Sequence, residues 1–197
     1  MPGFLIWHNF TQKKKGEKGI RLVGEKGDIM MISHKIGLFL FTLTAFPSLV
    51  KAEIIKNCDL IRQAKSYGAI DPTLTLAVSQ IESSGNSDVV TRQGPLVHYG
   101  VMQLQLGTAR MLGFRGHPKD LLKWKINLKY GVNYLNEKLK KHHSNRSAAA
   151  AAYNAGAAYP CKHQCQRRGS FVNQKYVDLV MAQYRKYANL KCADTTT

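Results

Sequence analysis

Apolar side chains recur every three or four positions through most of the chain after residue 53, which is the spacing of one face of an α-helix. The pattern predicts helices over residues 53–67, 72–84, 101–112, 126–141, 147–155 and 171–188. On the last of these the apolar face is formed by Val172, Tyr176, Leu179, Val180 and Tyr184. Residues 85–100 are polar and contain glycine, which predicts a loop with a short hairpin near residues 89–97. We therefore expect a mainly α fold.

A carboxylate lies on the apolar stripe of the second predicted helix. Asp71 and Pro72 predict the start of this helix, because aspartate is a favoured cap and proline is favoured at the first helical position. Glu82 follows Leu74 by eight residues and Val78 by four, so the three share one face. Position alone leaves two interpretations open. Either the glutamate is partly buried, with a raised pKa that keeps a proton available near neutral pH, or it bends into solvent or pairs with a cation.

An uncharged run over residues 36–50 stands apart from the helical pattern. Lys35 precedes it and the small residue Ala52 follows it, which is the layout of a secretory signal peptide. The run is also shorter than the roughly 18 to 20 residues that span a bilayer. We predict that residues 1–29 are unstructured or follow from a start codon placed too early, that residues 30–52 are a cleaved signal peptide, and that residues 53–197 form a periplasmic or secreted domain.

The composition is that of an ordinary globular protein with a strong excess of positive charge. Hydrophobic residues make up 44% and charged residues 21% of the chain, which argues against an integral membrane protein. Lys and Arg number 29 against 12 Asp and Glu, a net charge of +17, and this predicts an anionic partner. Predicted export and the lack of a recognised binding motif count against nucleic acid. We expect no nucleic acid partner, no stable membrane span and a monomer.

All four cysteines fall within the predicted exported domain. An even number in an exported chain indicates disulfides, and four cysteines allow three pairings. We predict Cys58–Cys192, which would join the two ends of the domain, and Cys161–Cys165. The alternative is a zinc site made of Cys161, Cys165 and nearby histidines, but their spacing matches no recognised zinc motif. We therefore expect no metal.

Four short motifs occur in order along the predicted domain. They are Gln80-Ile81-Glu82-Ser83-Ser84-Gly85-Asn86, then Gly100-Val101-Met102-Gln103, then Asn127-x-x-x-Gly131-x-x-Tyr134-Leu135, then Ala152-Tyr153-Asn154-Ala155-Gly156. In order and spacing they resemble the soluble lytic transglycosylase (SLT) domain of the lysozyme-like superfamily, over residues 69–158. The resemblance implies a single compact lysozyme-like domain. Residues 92–99 depart from it, because the family has a shorter connection there.

The resemblance also implies an activity. Members of the family cleave the bond between N-acetylmuramic acid and N-acetylglucosamine in peptidoglycan and leave a 1,6-anhydromuramoyl end. Glu82 matches the family's catalytic acid and base, and because the sugar's own 6-hydroxyl attacks, no second enzymic carboxylate and no cofactor are implied. Single-domain members accompany envelope secretion or conjugation machinery, so such a machine is the partner that the resemblance suggests.

Supporting residues follow from the same matching of motifs. The matched substrate-binding positions are Ser83, Met102, Gln103, Tyr153 and Asn154. Ser83 and Gln103 are expected to contact the sugar or Glu82, and Met102 to line the floor of the cleft. Tyr153 is expected to form a hydrogen bond near Glu82, while Asn154 shapes the turn after its helix.

Two alternatives to this activity stay open at the level of sequence. If Asp88 holds a water or stabilises the oxocarbenium centre, Glu82 and Asp88 together would make the protein a hydrolytic muramidase. If the cleft does not work, the same fold would be a non-catalytic module that binds the cell wall.

Overall fold

The computed structural model describes residues 55–162 and 170–192. The predicted segments 1–29 and 30–52 lie outside the described residues. Within these, the α-helices are α1 (Asn57–Ser66), α2 (Pro72–Ser83), α3 (Leu106–Met111), α4 (Trp124–Lys141), α5 (Arg146–Ala155) and α6 (Gln174–Tyr187), and a 3-10 turn covers Pro118–Leu122. The strands are β1 (Val90–Gln93), β2 (Leu96–Tyr99) and β3 (Leu104–Gln105). The prediction of a mainly α fold is confirmed.

The three strands form a small antiparallel sheet in the order β1-β2-β3. β1 and β2 are joined by a tight turn at Gly94, whose φ of 55° is left-handed. His98 on β2 lies opposite Thr91 on β1 and Gln105 on β3. The predicted hairpin is therefore present, and it leads directly into the segment that precedes α3.

The predicted helix over residues 101–112 is wrong in its first half. Gln103 has a left-handed backbone (φ 46°), and Leu104–Gln105 pairs with β2, so the helix begins only at Leu106. Val101, Met102 and Leu104 are buried, and their apolar side chains imitate helical spacing. Over a short stretch of sequence, a buried turn and the buried face of a helix can show the same spacing of apolar residues.

The main core lies between α1, α2, α4, α5 and α6. α2 packs against α6, and α5 packs against both α4 and α6. Residues 148–152 of α5 are all alanine and all buried, so the small side chains allow its neighbours to approach closely. On α6, Tyr176 and Val180 are buried as the pattern predicts, but Val172 (46% exposed) and Leu179 (37% exposed) are not. Val172 precedes the helix, and Leu179 lies outside the buried stripe.

The disulfide between Cys58 and Cys192 is present, which confirms that prediction. It joins residues 134 positions apart, with 5.4 Å between their Cα atoms. In the chain-entropy model a loop of this length contributes up to roughly 4 to 5 kcal/mol to stability. The Cys161–Cys165 prediction involves Cys165, which lies outside the described residues.

Two kinds of feature are absent from the described residues. Among them, no group of His, Cys, Asp and Glu side chains is arranged to hold a metal ion. Nor is any helix in residues 55–162 and 170–192 both long and apolar enough to cross a membrane.

Candidate active site

Glu82 lies in the last turn of α2, where the helix leaves the core. The helix begins at Asp71, whose carboxylate accepts a hydrogen bond from the amide of Leu74 (2.9 Å), and it ends at Ser84, which has a left-handed backbone (φ 57°). Residues 74–79 are buried against the neighbouring helices, and Glu82 is itself partly buried. Its Oε1 accepts a hydrogen bond from the hydroxyl of Tyr176 on α6 at 2.7 Å.

This environment favours the protonated form of Glu82. Burial raises the pKa of the carboxyl to about 7, from a usual value of 4.5. The hydrogen bond from Tyr176 acts in the opposite direction because it stabilises the carboxylate, but burial has the larger effect. Of the two interpretations of Glu82, the structure therefore shows the partly buried one. Such a group can donate a proton near neutral pH and afterwards accept one.

Two tyrosines flank Glu82, Tyr153 from α5 and Tyr176 from α6. Their side chains are buried, with 8% and 5% exposed. Burial, and next to it the charge of Glu82, raises the pKa of both phenols well above the usual value of 10. Both hydroxyls therefore stay protonated around neutral pH and act as donors. Tyr176 donates to Glu82, whereas Tyr153 donates to the carbonyl of Met102 at 2.8 Å.

Tyr176 is the site residue that sequence reasoning missed. Its helical spacing assigns it only to the apolar face of the last helix. A usable signal was present, because a buried tyrosine needs a partner for its hydroxyl and Glu82 is a carboxylate on another apolar face. The two residues are 94 positions apart, however, and one sequence gives no means of pairing them.

The segment Gly100–Gln103, which we call the carbonyl turn, has a side-chain polar atom on each of its four carbonyl oxygens. From Gly100 to Met102 in order, the donors are Gln103 Nε2 (2.8 Å), Ser83 Oγ (2.9 Å) and the Tyr153 hydroxyl (2.8 Å), and Nδ1 of His98 lies 3.2 Å from the carbonyl oxygen of Gln103. Gln103 Nε2 also donates to the carbonyl of Val89 at 3.0 Å. These bonds hold Gln103 in a left-handed conformation, which costs about 1–3 kcal/mol for a residue other than glycine.

Asn127 of α4 holds the same turn from its buried side. The residue is fully buried, and its Oδ1 accepts a hydrogen bond from the amide of Met102 at 2.7 Å. Its Nδ2 donates to the carbonyls of Tyr99 (2.7 Å) and Leu121 (2.9 Å). The asparagine therefore satisfies three main-chain groups that would otherwise be buried without partners.

Two glycines allow the turn and α4 to come this close. A Cβ on Gly100 would lie 2.8 Å from Nδ2 of Asn127 on α4 and 2.4 Å from the carbonyl oxygen of Leu121 in the 3-10 turn, and Gly100 also has a left-handed φ of 69°. A Cβ on Gly131 would lie 2.6 Å from the side chain of Met102. The second sequence motif, Gly100–Gln103, thus packs against the third, which contains Asn127 and Gly131.

Three of the expected substrate positions contact the protein itself. Met102 is fully buried against Gly131, so its side chain does not line a cleft. Ser83 bonds to the carbonyl of Val101, and Gln103, which is 8% exposed, bonds to the main chain. The motif match predicts that Ser83 and Gln103 contact the sugar or Glu82, and in the structure both side chains donate to main-chain carbonyls of the carbonyl turn.

The remaining candidates are Tyr153, Asn154 and Asp88. Tyr153 is beside Glu82 as expected, although its hydroxyl is bound to the main chain. Asn154 accepts a hydrogen bond from Asn173 at 2.9 Å, which ties the end of α5 to the residue before α6. Asp88 is exposed, and its carboxylate accepts a hydrogen bond from Ser87 at 2.8 Å.

Comparison with known proteins places this arrangement in a family. The sequence model of the transglycosylase SLT domain matches residues 59–175. The membrane-bound lytic murein transglycosylase C of Photorhabdus laumondii is 34% identical over 130 residues, which cover 59% of this chain and 36% of that protein. The chain thus spans about a third of the length of this curated relative.

Solved structures of similar fold include two transglycosylases. An inactive mutant of the lytic transglycosylase Slt from Pseudomonas aeruginosa superposes with a TM-score of 0.52 at 27% identity, covering 66% of this chain and 23% of that one. The 70-kDa soluble lytic transglycosylase in complex with bulgecin A also gives 0.52, at 23% identity over 70% of this chain and 26% of its own. The second likeness concerns the fold alone.

Proposed function

Because this chain belongs to the transglycosylase SLT domain family, we propose that it is a peptidoglycan lytic transglycosylase with Glu82 as its general acid and base. The observation that carries the proposal is the partly buried carboxyl of Glu82, whose pKa burial raises to about 7. A glycosidic bond needs an acid that still holds its proton near neutral pH, since the leaving oxygen must be protonated as the bond breaks.

In the proposed reaction a single carboxyl acts twice. Glu82 first gives its proton to the oxygen between N-acetylmuramic acid and N-acetylglucosamine, and the bond from that oxygen to the anomeric carbon breaks. The 6-hydroxyl of the muramic acid then closes on the anomeric carbon, and Glu82, now a carboxylate, takes the hydroxyl proton. The products are a free 4-hydroxyl and a 1,6-anhydro end, and no water is consumed.

Tyr176 supports both steps. When Glu82 is a carboxylate, the hydroxyl of Tyr176 stabilises its charge through the 2.7 Å hydrogen bond. When Glu82 is protonated, the same contact restricts the rotation of the carboxyl and so fixes the direction in which its proton points. The buried tyrosine keeps its own proton, because burial raises the pKa of the phenol well above 10.

The site of action that we propose is the cell envelope outside the cytoplasm. The Cys58–Cys192 disulfide supports export, because disulfides persist in oxidising compartments. The surplus of basic residues supports an anionic substrate, and peptidoglycan carries carboxylates on its peptide stems. Cooperation with envelope secretion or conjugation machinery stays a prediction from the family resemblance.

Digestion of purified sacculi tests the proposal. We expect the purified protein to release muropeptides with anhydro ends, seen by mass analysis. Reducing ends would identify a hydrolase, and binding without release a wall-binding module. The Glu82→Gln variant should lose about 10²- to 10⁴-fold in rate, roughly 3 to 5 kcal/mol of barrier.

Matched variants separate the acid from other carboxyls. Glu137→Gln removes an exposed glutamate on α4 and should leave the rate unchanged. Asp88→Asn should also keep the anhydro product if Glu82 acts alone. A strong loss in Asp88→Asn together with reducing ends would support the hydrolytic alternative instead.

A further inference from the structure

One side chain in contact with the carbonyl turn comes from outside the four sequence motifs. His98 lies on β2 and is partly buried. Its Nδ1 is 3.2 Å from the carbonyl oxygen of Gln103, and its Nε2 is 3.5 Å from Nε2 of Gln105, its neighbour on β3. Both ring nitrogens therefore face polar atoms of the segment that contains the turn.

We propose that His98 is a positioning residue for catalysis, which fixes the carbonyl turn by donating a hydrogen bond from Nδ1 to the carbonyl of Gln103. The proposal rests on the proposed function, because the turn matters to the reaction only if Glu82 is the acid. Ser83, the residue after Glu82, and Tyr153, which flanks Glu82, each bind a carbonyl of this turn. A change in the conformation of the turn would therefore displace the carboxyl of Glu82 through both Ser83 and Tyr153.

The atoms in contact select one tautomer of the imidazole. A carbonyl oxygen can only accept, so Nδ1 of His98 must carry the hydrogen. In the neutral ring Nε2 is then an acceptor, and the amide nitrogen of Gln105 is placed to donate to it. The geometry thus assigns His98 the Nδ1–H form.

The carbonyl of Gln103 needs this donor because of the conformation of the residue. Gln103 is left-handed and 8% exposed, and its side chain is already bound to the carbonyls of Val89 and Gly100. Without His98 the carbonyl would lose its side-chain donor in a poorly solvated position, which favours rotation of the peptide toward another partner. The neighbouring carbonyls of Val101 and Met102 would then shift as well.

Two substitutions distinguish the nitrogens of the ring. The amide nitrogen of asparagine can take the place of Nδ1, whereas that of glutamine reaches the place of Nε2. We expect His98→Asn to retain kcat within about threefold of the unmodified protein, and His98→Gln to lower kcat about tenfold with little change in KM. Thr91→Ala, on the exposed strand opposite His98, is the matched control and should behave as the unmodified protein.

All rates are measured on sacculi well below the thermal unfolding midpoint of each variant. Equal losses in the asparagine and glutamine variants, or a larger loss in the asparagine variant, would overturn the proposal. A fall in the unfolding midpoint with unchanged kcat would also overturn it, since His98 would then serve stability alone.

A spectroscopic measurement tests the tautomer without any activity. Long-range ¹H–¹⁵N spectra of the protein with labelled histidines, recorded near pH 9 and assigned with His98→Asn, should show the Nδ1–H pattern for His98. The Nε2–H pattern would contradict the proposal even if the enzyme is active. Conversely, full activity in Glu82→Gln would refute the proposed function while the tautomer result stands.

Discussion

The two sides of Glu82 are built by different means. On the helical side, α2, α5 and α6 pack apolar surfaces together, and Tyr176 reaches the carboxyl directly. On the other side the carbonyl turn is held by hydrogen bonds to its main chain. Burial on the helical side raises the pKa of Glu82, whereas the polar contacts fix the shape of the turn. The residues that set the pKa of Glu82 are thus largely different from those that fix the conformation of the carbonyl turn.

The largest effect that tests this division concerns stability against pH. An unfolded glutamate titrates near 4.5, and burial raises the pKa of Glu82 to about 7 in the folded protein. The cost of burying the charge is therefore absent below pH 4.5, grows as the pH rises, and is complete above pH 7 at about 3 kcal/mol. Relative to Glu82→Gln, the unmodified protein should lose that much stability across this window.

Urea unfolding of both proteins at constant ionic strength measures the difference. Glu137→Gln serves as the control, because its glutamate is exposed and should add no such pH dependence. If the stability difference between the unmodified protein and Glu82→Gln is the same at every pH, burial does not govern the carboxyl and the comparison of the two sides fails.

The next effect concerns the shape of the turn. Gly100 and Gly94 both have left-handed backbones, but a Cβ on Gly94 would meet no atom within 4 Å. Gly94→Ala should cost about 1 kcal/mol for its conformation alone. Gly100→Ala should cost about 2 kcal/mol more, because the added carbon would overlap the carbonyl of Leu121. Chemical denaturation checks both values, and equal costs would show that the Leu121 carbonyl does not constrain the turn.

The smallest effect separates the two tyrosines. Tyr153→Phe leaves the carbonyl of Met102 without its side-chain donor and should cost about 1 kcal/mol in stability, with the pH profile of kcat unmoved. Tyr176→Phe removes the hydrogen bond that lowers the pKa of Glu82, so the profile should fall off at a higher pH. If the pH profile of kcat shifts equally in both variants, the residues that bind the turn and those that bury Glu82 do not act separately.

The parts of this fold that sequence predicted correctly depend on local signals. α2 follows from its Asp71 cap, from Pro72 and from an apolar stripe of three-to-four spacing, all within a dozen residues. The position of Glu82 at the end of that stripe follows from the same count. The Cys58–Cys192 pairing is not local, because it joins residues 134 positions apart, and it was one of three pairings that four cysteines allow.

The parts that one sequence does not reveal depend on distant contacts. The family motif predicts that Gln103 contacts the sugar or Glu82, and the structure shows its side chain bound to the carbonyls of Gly100 and of Val89, which lies 14 positions earlier. Met102 is buried because Gly131 leaves room for it 29 positions later. The partner of Glu82 comes from α6. A short motif predicts that its residues have a role, whereas the folded structure determines which of their atoms are in contact.

The hydrogen bond between Tyr176 and Glu82 has a consequence for the order of biosynthesis. The chain is made from its amino terminus, so Glu82 exists for 94 residues of synthesis before its partner does. During that time α6 is missing, and with it the packing that withdraws the carboxyl from water. A half-made chain, or one cut short before α6, would hold an ordinary ionised glutamate. The raised pKa that the proposed acid needs would thus be complete only after α6 has docked.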